Sequence, residues 1–144
     1  MLVSQILKSK ADDGVITVPP GTAVARAAEI LSSRRIGALV VSTDGKTVLG
    51  ILSERDIVRE LGRRGAGCLT DTVDSLMTAR ITTCTRADRA DDVLARMTAG
   101  RFRHMPVVEA GQMVGLISIG DVVKARLSEL EYEKDALEGM IKGF

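Results

Sequence analysis

Apolar positions follow two periods along this chain, and each pattern occurs twice. Val24, Ala27, Ala28 and Leu31 fall at i, i+3, i+4 and i+7, on one face of a predicted helix. Ala90, Val93, Leu94 and Met97 repeat that spacing 66 residues later. A short extended run precedes each helix: Val15-Ile16-Thr17-Val18 and Ile81-Thr82-Thr83-Cys84. Pro19-Pro20-Gly21 breaks the first run before its helix. After each helix comes a predicted strand, Ile36 to Val41 and Phe102 to Val107, again 66 apart. Asp44-Gly45 is a strong two-residue hairpin signal and Ala110-Gly111 a weaker one. The returning strands, Val48 to Leu52 and Met113 to Ile117, are offset by 65, so the first hairpin carries one extra residue. Ser53-Glu54-Arg55-Asp56 and Ser118-Ile119-Gly120-Asp121 then open the closing helices.

The predicted fold class is therefore α/β (α+β), with two tandem β-α-β-β-α repeats packed as a pseudo-twofold pair. The expected divisions are a lead-in helix over 1–14, repeat one over 15–65, a linker over 66–80, repeat two over 81–126 and a C-terminal helix over 127–144. Gly62, Gly65 and Gly67 mark the linker region. Neither repeat is long enough to bury much core alone, and packing one on the other is the physical solution. Val123, Leu127, Leu130, Lys134, Leu137 and Ile141 step by 4, 3, 4, 3 and 4 residues, an a/d seam with one polar position. Such a seam either packs back on its own module or meets a partner.

Composition narrows the function. Twenty Lys+Arg against nineteen Asp+Glu give a formal charge of +1, and aromatic residues are 2%. That balance gives no general pull toward nucleic acid, and stacking rings are scarce. No segment approaches the apolar length of a membrane span, and the start of the chain is too mixed for a signal-peptide core. A cytoplasmic location, with no membrane or nucleic-acid partner, is the expectation. Cys68, Cys84 and the single His104 have no metal-ligand spacing and offer poor material for a catalytic triad. No enzyme activity, metal or required cofactor is expected.

The element order, with Gly-apolar-apolar-Ser-x-x-Asp closing both copies, resembles the CBS domain pair, or Bateman module. The resemblance runs from about Val15 to Arg126 and is most typical over Arg101 to Lys124. It implies two clefts between the repeats that take adenosine-containing ligands: AMP, ADP, ATP, adenosylmethionine or NAD. Carried over residue by residue, one cleft would use Val15 and Ile16 for the base, Asp121 for the ribose hydroxyls and Ser118 near the ribose or phosphate. Arg103 and His104 would face phosphate there. The other cleft would use Ile81 and Thr82 with Ser53 and Asp56, and Gly37 and Ala38 stand where the first has Arg103 and His104. The family also implies a homodimer of regulatory character. With no effector domain in this sequence, a regulated target would be a separate protein.

Each of these residues has a plainer reading. Ser-x-x-Asp opening an apolar helix is a capping box, and a cap alone stabilises a helix by about 1 kcal/mol. The two roles are compatible, since a carboxylate also accepts from two vicinal hydroxyls. Arg101, Arg103 and His104 could be a solvated strand edge, yet arginine's fork suits phosphate, and Arg103 is the favoured contact. The rival function is a structural interaction module with vestigial clefts.

Overall fold

The computed structural model describes residues 1–10 and 14–141. Its elements run α1 (Val3–Ser9), β1 (Thr17–Val18), α2 (Val24–Arg34), β2 (Ala38–Val41), β3 (Gly50–Ser53), α3 (Glu54–Arg64), α4 (Val73–Leu76), α5 (Ala90–Gly100), β4 (His104–Glu109), β5 (Gln112–Ser118) and α6 (Ile119–Ile141). The strand-helix-strand-strand-helix order occurs twice, as the repeated pattern predicts. The first strand of the second copy is reduced to one bridge, Cys84 to Val107, so Ile81 to Cys84 is extended chain beside a two-stranded sheet.

β1 pairs with β2 in parallel, because a helix crosses between them, and β2 pairs with β3 antiparallel. All four residues of β2 are buried, since each face is covered by a different partner. Leu39 and Val41 face α2, α3 and the segment around Val73. Ala38 and Val40 join Ile51 and Met113 in a cluster that mixes both repeats, with Val15, Ile81 and Leu116 at its margin. That small central cluster is where the two sheets meet, and the clefts lie beside it.

The hairpins reverse the expected ranking. Ala110-Gly111 is the tight turn: both residues have positive φ (50° and 77°), and Glu109 pairs directly with Gln112. Asp44 instead organises a longer connection. Its carboxylate accepts from Lys46 N at 2.8 Å, Thr47 N at 2.7 Å and Ser42 Oγ at 3.1 Å. An aspartate that captures the backbone N–H groups after it holds the chain in its own turn and displaces the two-residue hairpin.

The two lead-in helices pack on the opposite copy's chain order. α1 supplies Val3, Ile6 and Leu7 to the core of the second repeat. α4 supplies Val73, Leu76 and Met77 to the core of the first. The backbone bonds match: Val3 N donates to Asp88 O (2.9 Å) and Ala90 N to Met1 O (2.9 Å), while Val73 N donates to Thr22 O (2.8 Å) and Val24 N to Asp71 O (2.8 Å). Gly115 leaves room for Leu7, whose Cδ2 would lie 2.7 Å from a Cβ there, and Gly50 leaves the equivalent room for Met77. Each repeat is thus completed by a helix from the segment before the other.

Candidate functional site

Two clefts open at the carboxyl ends of β3 and β5. The first encloses about 350 Å³ and the second about 320 Å³. In the first, the extended chain at Ile81 and Thr82 and the residues before β4 face Ser53 and Asp56 across the repeat boundary. In the second, Val15 and Ile16 face Ser118 and Asp121. Each cleft thus brings one copy's first strand together with the other copy's Ser-x-x-Asp.

The basic residues divide differently from that expectation. Arg103 lines the Asp56 cleft together with Arg101, and Arg35, Ile36 and Ala38 line the Asp121 cleft. His104 and Gly37 sit on the wall between and touch both. Parallel pairing is the reason. Thr17 registers with Val40 and Cys84 with Val107, so the start of each second strand lies beside the start of its own copy's first strand. Arg103 therefore accompanies Ile81 and Thr82, not Val15 and Ile16. A crossover helix already signals parallel strands, so the sequence contained this information.

Both capping boxes form. Asp56 Oδ2 accepts from Ser53 N at 2.9 Å and Ser53 Oγ at 3.0 Å, and Asp56 N donates to Ser53 Oγ at 3.2 Å. Asp121 Oδ2 accepts from Ser118 N at 2.9 Å, and Asp121 N donates to Ser118 Oγ at 3.1 Å. The boxes leave each aspartate facing its cleft at the N-terminus of a helix, where anionic groups are favoured. Burial opposes the charge on Asp121, yet the Ser118 N–H and the Lys10 ammonium hold its carboxyl below the ordinary value.

Several cleft residues lie outside the expected set. Arg55, Arg59 and Arg80 line the Asp56 cleft, which with Arg101 and Arg103 brings five arginines to one cavity. Arg59 stands 3.5 Å from Asp56 Oδ1, one helical turn on, and the i, i+3 spacing made it findable. Arg80 and Lys10 arrive from the exchanged lead-in helices, for which the repeat spacing carried no signal. Glu54 lines the Asp56 cleft beside the wall made by Gly37 and His104, where a Cβ at Gly37 would lie 3.3 Å from both Cε1 and Nε2 of His104. Among the described residues no cluster of His, Cys, Asp and Glu has the makings of a metal site.

The CBS-domain family model matches residues 3–63 and 73–128. The chain belongs to the CBS-domain family. The matched spans begin at α1 and α4, as the packing of the lead-in helices requires. The CBS-domain protein ATU1752 from Agrobacterium tumefaciens is similar at 43% identity and a TM-score of 0.82, over 88% of this chain and 99% of that one. A CBS-domain protein from Burkholderia ambifaria MC40-6 matches at 37% identity and a TM-score of 0.82, over 89% and 95%. The Arabidopsis thaliana protein CBSX3, named as mitochondrial, is 32% identical over 98% of this chain and 72% of its own length.

Proposed function

We propose that this CBS pair is a regulatory sensor that binds an adenosine-containing ligand between its repeats, chiefly in the Asp56 cleft and with a preference for nucleoside polyphosphates. The observation that carries the reading is the chemistry of that cleft. Ile51 and Ile81 offer apolar surface, Asp56 offers a carboxylate to a ribose diol, and five arginines surround the space that a phosphate chain would take. Arg forks bind phosphate oxygens in pairs. Two more distant CBS structures support the ligand class. One, of MJ0100, is a complex with 5′-methylthioadenosine and S-adenosylmethionine, at 22% identity. Another, of PAE2072 from Pyrobaculum aerophilum, is a complex with AMP, at 24%. The proposal includes a cytoplasmic homodimer acting on a separate target protein.

Calorimetry with ATP, AMP and adenosine tests it. Affinity should fall in that order, and Arg103→Ala should weaken ATP and AMP about ten- to a hundredfold while barely changing adenosine. Equal losses for AMP and adenosine would mean that Arg103 supports the cleft and not the phosphate. Asp56→Ala should cost more affinity for ATP than Asp121→Ala.

A further inference from the structure

The two clefts differ where the lead-in segments arrive. In the first repeat the backbone after α4 pairs with β3: Ile51 N donates to Thr78 O at 3.0 Å, and Thr78 N to Ile51 O at 2.8 Å. In the second repeat Leu116 takes the place of Ile51, and its carbonyl accepts from the Lys10 ammonium at 2.8 Å. That same Nζ lies 2.9 Å from Asp121 Oδ2. Lys10 thus supplies a missing ladder bond and neutralises the cleft carboxylate at once. Arg80 follows α4 as Lys10 follows α1, but it is exposed and lines the open Asp56 cleft.

The consequence for a ribose differs between clefts. Oδ2 of Asp56 accepts from the Ser53 hydroxyl, a neutral donor that a ribose hydroxyl can replace one for one. Oδ2 of Asp121 accepts from an ammonium, and charge-assisted bonds are roughly twice as strong as neutral ones. Displacing Lys10 would also strip the part-buried Leu116 carbonyl of its donor, which adds to the cost. Charge points the same way. The described lining of the Asp56 cleft carries five arginines against Glu54 and Asp56, whereas that of the Asp121 cleft carries Lys10 and Arg35 against Asp121.

We infer that Lys10 is an internal occupant of the Asp121 cleft, so that the chain takes one nucleoside polyphosphate, beside Asp56, and admits a second only when this ammonium leaves Asp121. The inference rests on both clefts being nucleotide sites. Lys10→Met keeps an unbranched apolar stem and removes the charge, and Lys10→Arg keeps the charge. Calorimetric titration with ATP should give one site in the native chain and in Lys10→Arg, and two in Lys10→Met. Asp56→Ala should lose the native site, and the double variant Lys10→Met with Asp56→Ala should regain one, at least about tenfold tighter than any residual binding in Asp56→Ala alone. Two comparable sites in the native chain would overturn the inference, as would weaker ATP binding in Lys10→Met, which would make Lys10 a phosphate contact. A native site beside Asp56 with no second site in Lys10→Met would sink the role of Lys10 alone. Binding to none of the variants and not to the native chain would remove the nucleotide reading itself.

Discussion

His104 touches both clefts and is the single histidine of the sequence. Burial is the largest influence and lowers its pKa from the ordinary 6.5. The carboxylates of Asp121 and Glu54 pull it upward, and Lys10 and Arg103 push it down further. The folded chain therefore holds fewer protons than the unfolded chain between the lowered folded value and 6.5. Stability should fall as pH drops through 6.5 and level off below the folded value. Urea midpoints measured between about pH 7.5 and about pH 5.5 should show this slope in the native chain and not in His104→Gln. A matching slope in His104→Gln would assign the effect elsewhere. The aspartates were legible at this scale because Ser-x-x-Asp has a fixed spacing in both copies. The place of Arg103 was misjudged because spacing alone does not say which of two clefts a strand end enters. Parallel register decides that, and it sends Arg103 to the Asp56 side.

At the scale of elements, helices α2 and α5 end in the same unusual way. Arg35 and Arg101 follow them in left-handed conformation, with φ of 54° and 56°. Glycine is the residue that adopts this conformation without penalty, and an L side chain there costs roughly 1 kcal/mol. Both positions line clefts, one each. The strain is thus retained at two equivalent points where a guanidinium can reach a ligand, a pattern in which local cost is tied to function. Arg35→Gly and Arg101→Gly should each raise stability, by up to about 1 kcal/mol in denaturant titration. Only Arg101→Gly should also weaken ATP binding, because Arg35 belongs to the cleft whose carboxylate Lys10 pairs with. A loss of affinity in both variants, or a loss of stability in either, would contradict this account. The repeated helices and strands themselves were legible from periodicity. The turns were not, because Asp44 binds its own following backbone while Ala110 accepts positive φ to make the tighter reversal.

The whole molecule is held by an exchange that repeat spacing concealed. α1 and α4 are equivalent at an offset of 70 residues, not 66, so a search at the repeat offset passes over them. The remaining question at this scale is α6, which runs unbroken from the second repeat to Ile141, a length of about 34 Å by helical rise. Only Val122 and Ala125 of this helix are buried. The predicted seam faces solvent: Val123 is 39% exposed, Leu127 62%, Leu130 49%, Leu137 57% and Ile141 77%. Packing of the seam back on its own module is thereby excluded. Val58, the counterpart of Val123 on α3, is exposed as well at 66%. An exposed apolar stripe along one helix suits a twofold contact with a second copy, in which each surface meets its own image. Replacing Leu127, Leu130 and Leu137 with Glu together should weaken self-association in analytical ultracentrifugation by at least about a hundredfold, since each site loses an apolar contact worth roughly 1 kcal/mol or more and gains a charge to desolvate. Truncation after Arg126 should do the same while circular dichroism of the repeats persists. ATP binding beside Asp56 should survive in both, because the cleft is built from residues of one chain. A dimer that withstands both changes would place the interface on the repeat faces around Val58 and Val123, and a monomeric native chain would dismiss the seam as an interface between copies.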